Sequence, residues 1–455
     1  MTLTSRGRRT HVSDILQAAR SIIESHRLCD SCLGRQFGNL GSGMSNRQRG
    51  ASLKQVLLLK AHQLMLEDKK EGRCLLEKLM SNAMLNSAKA TLKKTGLSCG
   101  EDVDGQCELC QGKLSQLEAV ASHALEEAAQ FEFDTFVVGA VIPLTVIEAE
   151  DRLRAKFGLK WGEAIKSEFT REIGKIMAAG TGKTVDFKAP DVAITVRPYT
   201  DEVSIQVNPL YVYGRYRKLV TGIPQSRWVC KKCNGRGCES CEGTGRKYLE
   251  SVQELISKPL LKASRGDDTC IHASGREDID AKVLGKGRPF VIEIKNPRKR
   301  NFSLKRVAAA VDSTGKVEVE NLTKTTAETV KRIKASEASE KWYKAVAEAD
   351  SEVSDAEIEK VQNQLNACTV KQRTPRRVLH RRADRTRERY IYEVKTMRLT
   401  PTTFNINIRC QGGLYAKELI HGDGGRTAPN VSEILGKTVR CVELTVMDVE
   451  VGEEP

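Results

Sequence analysis

Between Cys230 and Cys241 the chain reads C-x2-C-x4-C-x2-C, with Gly235, Gly237, Gly243 and Gly245 set among and just after the cysteines. No other stretch restricts the local fold as tightly. A C-x-x-C pair bends the backbone into a knuckle offering two thiolates to one ion, and four thiolates complete the closed tetrahedron preferred by structural zinc. Glycines allow the positive φ that tight knuckles need. The segment 226–248 is therefore expected to be a zinc hairpin on Cys230, Cys233, Cys238 and Cys241, with no open catalytic position. Two further pairs, Cys29/Cys32 and Cys107/Cys110, stand far apart. Sequence does not show that they meet. They are expected to share a second ion because neither has another knuckle to match, with Cys99 the alternative ligand. Cys74, Cys270, Cys368, Cys410 and Cys441 read as small buried hydrophobes.

Fourteen cysteines, most of them in metal-type spacing, point to a reducing compartment. The basic N-terminus MTLTSRGRRTHVSD leads into no apolar segment, and no run approaches the roughly 20 apolar residues of a membrane span. The expectation is a cytoplasmic, monomeric protein. Lys and Arg number 74 against 59 Asp and Glu, a formal charge of +15. A field of that sign attracts polyanions, RNA first among them. Gly180-Thr181-Gly182-Lys183-Thr184 imitates a phosphate-binding loop, but Met177 stands where the motif needs glycine, and the segment follows a helix. No nucleotide or redox cofactor is expected.

The chain reads as α+β: a zinc-bearing helical region over 1–143, an α/β block over 144–225, the cysteine hairpin over 226–248 and a mixed-sheet domain over 249–455 flanked by helices. Leu53, Val56, Leu57 and Leu64, then Leu75, Leu76 and Leu79, recur at helical spacing. DVAITVRP and VSIQVNPLYVYG alternate as strands, as do PFVIEIKN, VEVENL, YIYEVKTM, FNINIRC and VRCVELTVMDVEV. The charged stretch 323–366 is expected to be a helical insert with a solvated face.

One segment carries chemistry: Ser274-Gly275-Arg276-Glu277-Asp278-Ile279-Asp280. If it is extended, Arg276, Asp278 and Asp280 share a face and Glu277 points away. A guanidinium beside Asp278 would keep it ionised, as a carboxylate nucleophile requires. On these residues alone an acidic turn with a local ion pair is the simpler reading.

Longer strings change the balance. GREDIDAKVLGKGRPFVIEIKNP at 275–297, RTPRRVLHRRADRTRER at 373–389, GGLYAKELIHGDGGRTAPN at 412–430 and YVYGRYRKLVTGIPQSRW at 211–228 resemble, in order, the archaeal Pus-ten tRNA pseudouridine synthases and their eukaryotic relatives. The resemblance is strong over 200–455. It extends to the N-terminal half through the paired cysteines and a THUMP-like block at about 144–215. It implies Asp278 as the essential catalytic residue, with Arg276 beside it and Lys417 as a cationic partner. Tyr392 matches the aromatic that stacks on the target base, with Tyr390 the runner-up. Tyr415, Arg381 and Arg382 would also meet substrate. Ala416 stands where relatives of this class carry a bulky aliphatic residue, which puts the contact with the target base, and so the choice of uridine, in question. The implied substrate is tRNA, with the THUMP region holding the acceptor end and the catalytic domain reaching T-arm uridines 54 and 55. Basic runs Arg373–Arg389 and Lys295–Arg300 would neutralise phosphates. Two rivals remain. A non-catalytic RNA-binding zinc protein explains charge and cysteines. A J-type co-chaperone, whose zinc units the hairpin resembles, explains only the hairpin and lacks its HPD tripeptide.

Overall fold

The computed structural model describes residues 14–95, 105–336, 339–380 and 382–450. Two compact units divide at Gln206/Val207.

In the first unit, helices Ile15–Ser25, Asp30–Arg35, Asn46–Glu67, Lys69–Ser81 and Asn86–Lys94 precede an α/β part. Ser45 and Gln48 form a reciprocal capping box that starts the longest of these. In the α/β part, strands β1 (Thr135–Ala140), β2 (Thr184–Val185), β3 (Val192–Arg197) and β4 (Glu202–Val207) make a sheet in the order β2-β1-β3-β4. β1 and β3 run parallel, joined through helices Leu144–Phe157 and Ile165–Thr181. Phe136, Val138, Ile194 and Val196 alternate into the core with Phe169 and Ile173 from the second helix. A buried guanidinium, Arg35, sits between Glu150 at 2.8 Å and Glu168 at 2.9 Å.

The second unit holds β5 (Leu210–Lys218), β6 (Asp268–Ala273), β7 (Ala281–Lys295), β8 (Val317–Thr325), β9 (Lys341–Ala349), β10 (Cys368–Arg373), β11 (Thr386–Arg398), β12 (Thr403–Cys410), β13 (Thr427–Ala428) and β14 (Val439–Val449). They form one mixed sheet in the order β13-β10-β11-β12-β9-β14-β7-β5-β8. β7 is long enough to change partner along one edge. Its first half pairs in parallel with β14 through Ala281↔Leu444, and its second half pairs antiparallel with β6 through Ala273↔Phe290. Two large apolar clusters dominate the unit, beside a smaller one of Tyr213, Val291, Val330 and Ile333. One is built on Val394, Phe404, Ile406 and the helices Asp355–Leu365 and Ala416–His421, and the other on Phe290, Ile292 and the helix Val252–Ser264.

Three sequence readings need correction here. VSIQVNPLYVYG is two strands in two sheets, β4 and β5. Pro209 lies between them, where a residue without an N–H cannot continue a ladder. As a result Leu210–Lys218, read with the block 144–225, lies in the second unit's sheet. The stretch 323–366 is no helical insert. Trp342, Tyr343 and Val346 lie on β9, a central strand, where Lys341, Ala345, Ala347 and Ala349 turn inward at period two beneath a charged composition. Cys74 is exposed rather than buried. No helix among the described residues is long and apolar enough to cross a membrane.

Candidate active site and metal centres

The loop Ser274–Asp280 spans the gap where β7 exchanges β6 for β14. Four of its carbonyls, those of Ser274, Gly275, Asp278 and Ile279, accept hydrogen bonds. Arg288 Nη1 donates to Ser274 O at 2.6 Å, and Gln225 Nε2 to Gly275 O at 3.1 Å. Lys218 Nζ donates to Asp278 O and Ile279 O, both at 3.1 Å, and to Ile223 O at 3.0 Å. Backbone N–H groups of Ala281 and Gly222 complete Asp278 and Ile279. A loop satisfied in this way is held in one conformation. Gly275 has φ of +79°, a backbone conformation that L side chains rarely adopt, so the motif's glycine is favoured by its backbone.

Glu277 points inward, away from Asp278, as the alternation predicted. Its side chain is fully buried, 3.0 Å from Arg288 Nε, and accepts from Tyr216 Oη at 2.8 Å. Burial first, and the Glu277 charge second, push the Tyr216 hydroxyl far above its ordinary range, so it serves as a neutral donor. Burial also lowers the Lys218 ammonium below its usual value.

Asp278 projects the other way, its side chain 26% exposed. Arg377 Nη1 donates to Asp278 Oδ1 at 2.7 Å, while Arg377 Nε donates to Glu418 Oε1 at 2.7 Å. Lys417 Nζ lies 3.9 Å from Asp278 Oδ2 and bonds Asp280 at 2.6 and 2.7 Å. For Arg377, burial acts downward, but Glu418 and Asp278 outweigh it and raise the guanidinium further. Arg377 stands on a 3-10 turn begun by Pro375, and Lys417 and Glu418 open the helix Ala416–His421. Gln372 fixes that helix start by exchanging hydrogen bonds with both backbone groups of Tyr415, at 2.8 and 3.0 Å. Arg382 Nη1 donates to Tyr415 Oη at 3.2 Å.

The structure thus gathers Asp278, Lys417, Tyr415 and Arg382. The guanidinium on Asp278, however, is that of Arg377. Arg276 is exposed, its Cζ 5.1 Å from the Trp228 ring centroid. Residues 279 and 280 form a turn, so the strand-like alternation expected of the segment ends there. No polar contact joins Tyr392 to Asp278 among the described residues. Tyr392 packs edge-on to Tyr390 at 5.1 Å and under Arg409 at 5.4 Å, and Arg409 also covers Trp342. Trp342 and its neighbour Tyr343 face opposite sides of β9. Tyr343, like Tyr216, stands near enough to the loop to feel its charges. Burial first, then Cys410, with Asp278 and Glu277 adding, raise its hydroxyl. Arg381 and Cys99 fall outside the described residues. Of the basic runs, Arg376, Arg382, Arg385, Arg298 and Lys299 are exposed, whereas Arg300 is buried and donates to Asn208 O, and Arg373 pairs with Asp384 at 2.7 Å. Sequence reasoning missed Gln225, Arg288 and Glu418 because each makes a long-range contact with no local pattern; Lys218, which the sequence offers with Arg215 and Arg217 as a small basic patch for RNA, is instead buried beneath the loop.

Both tetracysteine groupings form. Cys29, Cys32, Cys107 and Cys110 meet within the first unit, and Cys230, Cys233, Cys238 and Cys241 within the second, with sulfurs inside 4.8 Å of one another. At a zinc–sulfur bond of about 2.3 Å a tetrahedron has edges of about 3.8 Å. Cys29–Cys110 is 3.7 Å, Cys230–Cys238 3.9 Å, Cys233–Cys241 3.8 Å and Cys238–Cys241 3.7 Å. Gly237 and Gly245 donate N–H to Cys233 and Cys241 sulfurs at 3.2 Å, with φ of +92° and +66°. A Cβ on either would lie within 2.6 Å of a facing carbonyl oxygen. The donor sets fit a thiophilic tetrahedral ion, and both are closed by four protein ligands.

The family model described as "Pus10, C-terminal" matches residues 211–450, and "Pus10 THUMP domain, archaeal" matches 120–197. A tRNA pseudouridine synthase Pus10 of Methanothrix thermoacetophila is 40% identical over 441 residues, covering 96% of this chain and 95% of its own. The protein of that name from Methanocaldococcus jannaschii is 41% identical over 430 residues, covering 94% and 93%. A solved Cbf5-Nop10-Gar1 complex aligns over 51% of this chain and 47% of that one, at 14% identity and a TM-score of 0.29.

Proposed function

The chain belongs to the Pus10 family of pseudouridine synthases, and from that premise we propose that it isomerises uridine to pseudouridine in tRNA, at T-arm positions 54 and 55, through Asp278. The bond between uracil N1 and ribose C1′ breaks, the freed base turns, and C5 joins C1′ as its hydrogen leaves to solvent as a proton and N1 takes a proton up. Asp278 supplies the carboxylate. Its placement between Arg377 at 2.7 Å and Lys417 at 3.9 Å is the observation that carries this assignment. Arg377 and Lys417 flank and aim the carboxylate, and the anchored loop behind it prevents retreat. The target base must leave its stack to reach Asp278. Tyr415 and Arg382 stand beside the cations to receive the flipped nucleotide, and Tyr392 is proposed to contact a base from the face it shares with Arg409. Arg381 is also proposed to meet substrate. Arg276 is proposed to keep the loop in place through Trp228. The THUMP region is proposed to hold the tRNA acceptor end, with exposed Arg376, Arg385, Arg298 and Lys299 meeting phosphates. The two tetracysteine sites are proposed to hold structural zinc; no step of the isomerisation passes through either.

Tritium release from tRNA transcript labelled at uridine C5 tests the reading, with wild type and Asp278→Asn side by side. Release by wild type and none by a tRNA-binding Asp278→Asn protein is expected. Equal release by both would remove Asp278 from the mechanism. No release by zinc-loaded, tRNA-binding wild type would favour the RNA-binding module.

A further inference from the structure

A third group of metal-ligating side chains lies outside the two tetracysteine sites. Cys270 and His272 alternate onto one face of β6, and Glu293 stands directly across from Cys270 on β7. The cysteine sulfur, an imidazole nitrogen and a Glu293 oxygen lie within 4.8 Å of one another. His272 Nε2 is 2.9 Å from Glu293 Oε2, and the two side chains are 13% and 23% exposed. Because all three positions belong to one paired ladder, the backbone fixes their spacing without help from a flexible loop. Val330 and Ile333 of the helix Ala327–Ala335 pack with Val291 beside the group, giving it an apolar flank. The sequence reading took Cys270 for a buried hydrophobe. The structure leaves it half-buried, with a histidine and a carboxylate at its side.

We propose that Cys270, His272 and Glu293 form a third metal site, for a borderline divalent ion such as zinc, cobalt or nickel, with its fourth position open. Bonds of about 2.0–2.3 Å to such an ion separate neighbouring ligand atoms by about 3.3–3.8 Å. The His272–Glu293 pair reaches that by opening a few tenths of an ångström from 2.9 Å, and the sulfur, within 4.8 Å of both, by closing no more than about 1.5 Å. A thiolate and a carboxylate balance the charge of the ion, and the sulfur–imidazole–carboxylate mixture selects borderline ions over magnesium or calcium. Three protein ligands distinguish the site from the closed tetracysteine pair. The chain runs from His272 through Ala273 directly into Ser274–Asp280. An ion here therefore fastens β6 to β7 at the root of the loop that carries Asp278.

The test uses the full-length protein with its tetracysteine sites already zinc-filled. Cobalt(II) is added while thiolate–cobalt absorbance is followed, and bound metal is counted by mass spectrometry. One further equivalent with thiolate–cobalt absorbance is expected, abolished in Cys270→Ser and weakened at least tenfold in His272→Ala. In unaltered protein, that equivalent should protect Cys270 from alkylation, read by peptide mapping, so the result does not depend on either variant folding. Absence of a third equivalent in the wild type, its persistence in folded Cys270→Ser, or Cys270 alkylated as fast with cobalt as without would each overturn the proposal.

Discussion

Arg377 ties Asp278 to Glu418. One guanidinium nitrogen lies 2.7 Å from the Asp278 carboxylate and another 2.7 Å from Glu418, whose side chain is only 2% exposed. The buried carboxylate fixes the guanidinium plane, and the plane then fixes Asp278. A lysine has one nitrogen and no planar fork, so it cannot hold both carboxylates in this geometry. Arg377→Lys is expected to lower the single-turnover rate of tritium release on the order of 10²-fold, the loss typical of an ångström-scale misplacement of a reacting group. Affinity for tRNA should change by no more than a few-fold. A variant with wild-type rate and weakened tRNA affinity would reassign Arg377 to phosphate binding.

The contrast between Arg276 and Arg377 shows where sequence reading stops. The tetrad Gly275–Asp278 drew attention to Asp278 only through the family resemblance, and strand alternation set Glu277 on the face away from Asp278, as it stands in the structure. The partner cation was sought two residues away because local spacing is all a sequence displays. The fold instead brings it from a turn nearly a hundred positions later. The hairpin cysteines were legible because one ion organises neighbours, and the pairing of Cys29/Cys32 with Cys107/Cys110 followed from matching knuckles. β9 was illegible for a different reason. Its inward residues are alanines and a lysine, and its charges sit on the other face. Composition therefore suggested a solvated helix while the periodicity was that of a strand.

Lys218 supports the loop from beneath, with its ammonium on three carbonyls, two of them those of Asp278 and Ile279. Lys218→Met keeps the length of the stem and removes the donors. The single-turnover rate is expected to fall at least tenfold with tRNA affinity retained, because the loop loses anchorage rather than a substrate contact. Stability should respond separately. Burial depresses the folded-state pKa below the ordinary 10.5, so the unfolded chain binds the proton more readily. Stability of wild type relative to Lys218→Met should therefore rise as pH climbs toward 10.5, in denaturant titrations at a series of pH values. A flat difference would mean that the ammonium is solvated.

In the first unit, Arg35 is wholly buried between Glu150 and Glu168. Removing it leaves buried Glu168 without its cation and Glu150 with only Arg154, at 3.1 Å, to oppose its charge. Arg35→Met should destabilise that unit by about 3–5 kcal/mol, the usual result of breaking a buried ion pair on one side. Replacing all three with apolar residues should recover much of that loss. Denaturant unfolding followed by a probe in the first unit distinguishes the cases. A loss under about 1 kcal/mol for Arg35→Met would place the cluster in the class of solvent-exposed pairs.

Two tightly held zinc ions are expected per chain, and their release should differ in rate. Cys32, Cys107 and Cys110 are buried at 2% exposure or less, whereas Cys238 and Cys241 are partly open. A chelator should therefore empty the hairpin first, and Cys238→Ser should remove the fast phase alone. The hairpin also reaches the Ser274–Asp280 loop through Trp228, over which Arg276 lies at 5.1 Å. An exposed cation–π contact contributes about 0.5–1 kcal/mol. Losing the hairpin ion should then slow tritium release by only about two- to fivefold. Zinc counted by mass spectrometry, with activity assayed on the same samples, checks both statements. A hairpin-empty protein as inactive as Asp278→Asn would mean that the ion holds up far more of that loop than Arg276 alone.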